Sequence, residues 1–263
     1  MKRKYSIEER RSKILNMLHT EGRVHVSDLV ETFDVSEVSI RKDLATLEER
    51  KLLVRVKGGA IVLHQTGDYD DLSISHKQHL HAREKQLIGQ YAASLVHDGD
   101  RIIIDSGTTT MEIAKNLENF NNLTIITNAL DIAITLNSYG KFSVIVLGGT
   151  MRSVSHSTVG MISEYALKNI FCDKLFLGVD SISITDGLST PSLEEASLNQ
   201  AMIASAKEVI AVFDSSKFGR RTFAHIASLD KIDTIITDSN ISPDLKAYIE
   251  KTGIKLHIVD IDN

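Results

Sequence analysis

Residues 36–50, SEVSIRKDLATLEER, read as a helix with two unlike faces. At about 100° per residue, Ile40, Leu44 and Leu47 fall on one side and must pack inward. Val38, Ser39, Lys42 and Thr46 fall on the other, with Arg41 at its flank. Small, hydroxyl-bearing and basic side chains near a helix N-terminus suit the DNA major groove. They offer donors to bases and phosphates, and a methyl-bearing surface for thymine. Ser36 is the expected N-cap, closing a tight Asp34-Val35-Ser36 turn. Residues 52–62, LLVRVKGGAIV, read as two short strands around a Gly58-Gly59 turn, with Arg55 and Lys57 available to phosphate.

Upstream, residues 6–20 carry Ile7, Ile14, Leu15 and Leu18 mostly on one stripe. Ser6 and Glu9 make a capping box, and Gly22 ends the helix. A short helix fits 26–33. The whole of 1–63 therefore reads as a winged helix-turn-helix. Its 13 Lys/Arg against 10 Asp/Glu give it a net +3, whereas 64–263 is net −8. A basic head on an acidic body hints at nucleic-acid contact by the head, although an ordinary charged helical cap has the same charge.

These residues resemble the N-terminal domain of DeoR-family transcriptional repressors. The resemblance rests on Val38 to Leu44, on Leu47-Glu48 and on the Arg-Val-Lys-Gly-Gly-Ala wing. It implies DNA contacts from Ser36, Val38, Ser39, Arg41, Lys42, Arg55 and Lys57. Where Lys42 stands, the family more often has a second arginine. Charge survives that change, but fork geometry does not. Asp43 belongs to a structural ion pair or cap rather than to base reading.

Residues 64–79, HQTGDYDDLSISHKQH, are polar and aperiodic and read as a linker. From 80 onward, apolar runs recur at 101–105, 123–127, 143–147, 174–179, 208–213, 234–237 and 255–259, with helical stretches between most of them. Buried β-branched runs joined by helical crossovers imply a doubly wound, mainly parallel α/β domain. In such sheets ligands bind outside the carboxyl ends of the strands.

The residues at those ends carry the chemistry. They are Asp105-Ser106-Gly107-Thr108-Thr109-Thr110, Thr127-Asn128, Gly148-Gly149-Thr150-Met151-Arg152, Asp180-Ser181 and Asp214-Ser215-Ser216-Lys217. Hydroxyls, amides, carboxylates and cations in a row suit a polyhydroxylated, anionic small molecule. The Ser-Gly-Thr-Thr-Thr turn opening a helix is a candidate phosphate cradle. Taken singly, Gly148-Gly149 is also an ordinary tight turn, and a strand-end Asp is also a helix cap.

IDSGTTT, TNA, LGG-x-x-R, FLGVDSIS, DGLSTPSLEEA and DSSKFG resemble the DeoR-type sensor domain, which is similar in fold to ribose-phosphate isomerases. That resemblance implies a phosphorylated-sugar effector. Ser106, Gly107, Thr108 and Thr109 would hold its phosphate, and Asn128, Arg152, Asp180 and Lys217 would line the sugar pocket. Asp105, Gly148 and Gly149 join them as strand-end residues.

A second function stays open: an aldose–ketose sugar-phosphate isomerase with an added DNA-binding head. The isomerases resembled carry Asp-Gly-Ala-Asp-Glu at the fourth strand end, where this chain reads Leu177-Gly178-Val179-Asp180-Ser181. One carboxylate survives there, and Glu194 and Glu195 downstream are candidate bases. The favoured reading is a repressor of a sugar-catabolism operon, not an enzyme. Operator DNA and a sugar phosphate are its partners, and it acts as a homodimer or homotetramer.

No run approaches the ~18 apolar residues of a membrane span, and no apolar export segment follows the N-terminal basic residues, so a cytoplasmic location is expected. The single cysteine, Cys172, reads as a buried small hydrophobe, and the ten histidines show no metal spacing. No metal and no cofactor is expected. The linker and the helix at 84–96 are the expected mechanical connection between head and body.

Overall fold

In the computed structural model, residues 5–21, 23–49, 52–56, 58–62 and 73–261 are described. They fall into two units, Met1–Tyr69 and Asp70–Asn263.

The first unit opens with α1 (Ile7–Glu21), and its capping box forms as expected. The Ser6 amide donates to Glu9 Oε2 at 2.9 Å, and the Glu9 amide donates to Ser6 Oγ at 3.2 Å. β1 (Arg23–His25) and α2 (Val26–Phe33) follow, and α2 ends on Asp34 in the left-handed region, φ 53°. In α3 (Glu37–Glu49), Ile40, Leu44 and Leu47 are buried, as the periodicity requires. Ser36 caps that helix, accepting from the Ser39 amide at 3.3 Å. β2 (Leu53–Val56) and β3 (Gly59–Val62) form the wing.

The sheet order is β1-β3-β2, all antiparallel. Three residues are too short for a periodic signal, so β1 is invisible to pattern reading. It also explains a glycine: a Cβ on Gly59 would lie 2.0 Å from the Val24 carbonyl oxygen. Buried Asp43 joins α1 to α3, accepting from Arg10 Nε at 2.6 Å and Arg11 Nε at 2.9 Å. The expectation of an ion pair there holds.

The second unit runs α4 (Ile74–His79), α5 (Ala82–Ala93), β4 (Arg101–Ile104), α6 (Thr108–Lys115), β5 (Thr124–Thr127), α7 (Leu130–Ser138) and β6 (Ser143–Val146). Next come β7 (Thr150–Arg152), β8 (Ser157–Val159), α8 (Met161–Leu167), β9 (Cys172–Gly178), β10 (Ser181–Ser183), β11 (Gly187–Thr190) and α9 (Leu193–Ala204). It closes with β12 (Ala206–Val212), β13 (Ala224–Ala227), β14 (Thr234–Asp238), α10 (Pro243–Thr252) and β15 (Lys255–Val259).

The main sheet has the order β15-β14-β12-β9-β4-β5-β6, and every pairing in it is parallel. Alternate residues of one strand enter different cores. Ile103 joins Leu175 and Ala211 on one side, while Ile102 and Ile104 join Phe176 and Ile210 on the other. Both faces are therefore covered, which is the doubly wound arrangement that the unbroken apolar runs implied.

All seven expected strands are present, each within two residues of its expected ends. Not anticipated were the β7–β8 hairpin and the antiparallel sheet β10-β11-β13, whose strands are mostly three or four residues long. α8 starts only at Met161, because Val159 pairs with Thr150 in the hairpin. The stretch 64–79, read as linker, needs correcting at its C-terminal end. Residues 63–72 lie outside the described residues, but Ile74–His79 is helical and belongs to the second unit. Its polar sequence hid a helix that is held by polar ties rather than by an apolar stripe.

Candidate functional site

On α3, Val38 is 76% exposed, Ser36, Arg41 and Lys42 are exposed, and Ser39 is half-buried. Arg41 forks onto Glu37 Oε1, at 2.6 Å from Nη2 and 3.0 Å from Nε. Both partners are exposed, so that pair is worth under about 1 kcal/mol and yields readily to a better acceptor. Thr46 departs from the expected open face: its hydroxyl accepts from Arg11 Nη2 at 3.2 Å, turned toward α1. Arg55 is exposed on β2, with Nε 3.5 Å from Glu48 Oε2. Lys57 lies outside the described residues.

In the second unit the strand order fixes where a ligand can sit. β4, β5 and β6 run outward to one side, and β9, β12, β14 and β15 to the other, so the chain reverses between β4 and β9. Loops leaving adjacent strands on opposite sides open a crevice at that point. A cleft enclosing about 770 Å³, open solvent included, lies there. Asp105, Ser106, Gly107, Thr108 and Thr109 line it from the end of β4, Asn128 from β5, Asp180 from β9, and Lys217 from the turn after β12.

Local backbone geometry shapes the part of the cleft at the start of α6. Gly107, φ 148°, is the N-cap of α6 and supplies no side-chain cap, so the first-turn amides, next to cleft-lining Thr108 and Thr109, lack both an intrahelical and a capping partner. Asn128 Oδ1 accepts from the Ser106 amide at 3.1 Å and pins that loop. The loop crosses β9 where a Cβ on Gly178 would come 2.8 Å from the Ser106 carbonyl oxygen. Glycine at 178 therefore makes room for that loop.

Three expected residues are not in the cleft. Gly149, φ 136°, packs where a Cβ would be 2.4 Å from the Val159 carbonyl oxygen, and Ser163 Oγ donates to the Gly148 carbonyl. The Gly-Gly pair thus lets the hairpin and α8 approach the end of β6, the tight-turn role that the sequence had left open. Arg152 points to Glu195, with both side chains 12% exposed, and so acts on the cleft through that carboxylate.

Pattern reading missed Lys77, Lys85, Ser155, Thr190, Glu195 and Asn199 as lining residues. Lys77 sat in the supposed linker. Lys85 and Asn199 sit inside helices, where a single polar residue carries no signal. Glu195 had been noted only as a candidate base.

Charge is concentrated here. Lys77 Nζ donates to Asp180 Oδ1 at 2.7 Å, and the Thr190 hydroxyl lies 3.3 Å from Asp180 Oδ2 and 3.0 Å from Glu195 Oε2. Burial works to raise the Asp180 pKa, but the Lys77 and Lys217 charges, with hydrogen bonds from Lys77 and Thr190, hold it below the usual carboxylate value. Burial, reinforced by the Glu195 charge, pushes Asp105 up to about 8. Burial likewise brings Lys85 down to about 8 against the attraction of Asp214, and lowers Lys217. Outside the cleft, buried Cys172 behaves as the expected small hydrophobe, its thiol raised to about 11 by burial.

Asp105 gives a stability test. Its native pKa is raised, so between its unfolded value near ~4 and about 8 the folded protein holds a proton that the unfolded chain lacks. Its contribution is therefore fully present below the lower value and lost as pH rises to the upper one. Asp105→Asn, which mimics the protonated acid, should flatten the fall in melting temperature across that window and exceed wild type above it. Identical pH profiles for the two proteins would mean that Asp105 titrates normally.

A winged helix presenting a basic face, in one chain with an α/β unit whose cleft gathers carboxylates, ammonium groups and an uncapped helix start, defines a small-molecule-controlled DNA-binding regulator. The chain belongs to the DeoR family of transcriptional regulators. Residues 10–66 match the DeoR-like helix-turn-helix domain, and residues 80–239 match the DeoR C terminal sensor domain.

It is similar to an Escherichia coli O157:H7 protein whose name provisionally makes it the aga operon transcriptional repressor. The two are 37% identical over 98% of this chain and 96% of that one. It is 34% identical to the transcriptional repressor GlcR of Bacillus subtilis, over 97% of each chain. The lactose phosphotransferase system repressor of Staphylococcus epidermidis is 32% identical over 88% of this chain and 92% of its own. Among solved structures, ribose 5-phosphate isomerase from Plasmodium falciparum is 16% identical, with a TM-score of 0.38, over 51% of this chain and 52% of that one.

Proposed function

We propose that this chain represses a sugar-catabolism operon and leaves its operator when a phosphorylated sugar, or a related metabolite, fills the cleft. One observation carries the ligand class: the uncapped start of α6 and Lys217 meet Asp180 and Asn128 in a single cleft. The first pair suits phosphate and the second suits hydroxyls. Relatives named for the aga operon and the lactose phosphotransferase system support a sugar in that role.

The isomerase reading is the weaker one. Asp180 is engaged by Lys77 and Thr190, and Glu195 by Arg152 and Thr190, so neither carboxylate is a free base. The chain acts in the cytoplasm as a homodimer or homotetramer, whose recognition helices reach successive major grooves roughly 34–36 Å apart. The effector must bind the released arrangement more tightly than the operator-bound one.

A thermal-shift screen of phosphorylated sugars, run beside a turnover assay on the same compounds, tests both readings. A raised melting temperature without product supports the sensor. Product formation with pentose or hexose phosphates would restore the isomerase. On the DNA side, Arg41→Ala should cost about 1–3 kcal/mol of operator affinity if the guanidinium forks onto a guanine. Folding should be untouched, because Arg41 is exposed. Wild-type operator affinity in an Arg41→Ala, Lys42→Ala double variant would remove α3 from base reading.

A further inference from the structure

α4 is too short to persist by itself. Isolated helices of fewer than about 12–15 residues are marginal in water, and this one has six residues. It has no fully buried side chain among those described; Ile74 and Lys77 are half-buried. Polar ties hold it instead. The Ile74 amide donates to the Val154 carbonyl at 2.7 Å at its start. Lys77 Nζ meets Asp180 Oδ1 at 2.7 Å in its middle. Lys85 Nζ donates to the carbonyls of Lys77 at 2.5 Å and Leu80 at 2.6 Å at its end. Ile74, Val154, Lys77, Asp180 and Lys85 all line the cleft. The groups that keep α4 folded and seated are thus the groups that a ligand touches.

We propose that the Lys77–Asp180 pair is a latch that seats α4 over the cleft, and that a ligand opens it by competing for both partners. The inference rests on the sugar-phosphate reading of the cleft. A sugar hydroxyl donating to Asp180 displaces Lys77 or Thr190, which between them reach its two oxygens. A phosphate at the start of α6 draws the Lys77 and Lys85 ammonium groups toward itself. Both effects weaken the same ties, and a short segment with no fully buried side chain among those described is one that opens locally at low cost. α4 is the first described element after β3 of the DNA-binding unit, so its release changes the anchored end of the chain that leads to the wing.

Amide hydrogen exchange on the full chain tests this without knowing the effector. In ligand-free protein, Lys77→Met and Asp180→Asn should each speed exchange across 73–80 on the order of tenfold, with β9 and β14 unchanged. The double variant Lys77→Asp, Asp180→Lys should recover the slow exchange by restoring the pair. Unchanged exchange in both single variants overturns the latch.

A second arm uses pentose and hexose phosphates, ribose 5-phosphate and glucose 6-phosphate among them, with inorganic phosphate as control. A compound that raises the wild-type melting temperature should also speed exchange across 73–80. A compound that raises it while leaving those amides protected overturns the trigger but spares the sensor reading. If no compound raises it, the ligand class falls and the trigger with it, and the ligand-free arm alone decides the latch.

Discussion

Asp43→Ala should unfold the DNA-binding unit under conditions where the α/β unit stays folded. Asp43 is 2% exposed and holds two guanidinium groups, with Arg10 and Arg11 side chains only 10% and 14% exposed. Removing the carboxylate takes away the anion that these two largely desolvated guanidinium groups share. Breaking a buried pair in this way costs about 3–5 kcal/mol. A unit with eleven buried hydrophobic residues among those described has little stability to spare against that loss. The bridge also fixes α1 against α3, so the basic face loses its support.

Asp43→Asn keeps an acceptor without the charge and should fall between the variant and wild type. Exchange protection in α1 and α3, followed in the full chain beside that of the main sheet, gives the reading. Full protection in α1 and α3 of Asp43→Ala would show that the ion pair is incidental. Equal loss in both units would show that they unfold together.

Asp43 also marks how far the sequence could be read. Its neighbours Ile40, Leu44 and Leu47 are spaced for burial, and an acidic residue among them had to be paired. The partners, 32 and 33 residues away in α1, leave no local trace. The same division runs through the α/β unit. Strands such as Ile102-Ile103-Ile104 announce themselves, because burial on both faces demands unbroken apolar runs. Ser181–Ser183 and Thr150–Arg152 do not, because three-residue strands made by pairing carry no period.

In the cleft, residues at strand ends were legible because the parallel sheet dictates where such ends meet: Asp105 to Thr109, Asn128, Asp180 and Lys217 all line it. Gly148, Gly149 and Arg152 also follow a strand, but β6 is the edge of the sheet, two strands from the reversal point, and its loop turns into the β7–β8 hairpin. Lys77 and Lys85 come from helices ahead of the first strand of the main sheet. The strand-end rule says nothing about residues that reach the cleft from elsewhere.

The cleft's own test is a repressor that no longer responds. Lys217→Ala removes a half-buried cation from the cleft while leaving the DNA-binding unit unaltered. A charge-assisted hydrogen bond of this kind is worth about 1.5–3 kcal/mol, so the effector concentration needed for release should rise ten- to about a hundredfold. Thr109→Arg goes further. Thr109 is 7% exposed at the start of α6, and an arginine there fills the phosphate cradle with bulk and supplies its own cation. Release should then fail at any practical concentration, with operator affinity unchanged in the absence of effector.

The competing account is that these residues only stabilise turns and helix ends. It makes a different forecast: lower melting temperatures, with release at the normal midpoint. Titrating effector against the preformed protein–operator complex, with a melting curve for each variant, separates the two. Lys217 follows β12 and Thr109 follows β4, strands separated in the sheet by β9, so the two variants reach one cleft from different strand ends. A shared failure of release, from residues 108 positions apart that both line the cleft, is what a bound phosphate requires and what two independent helix caps would not produce.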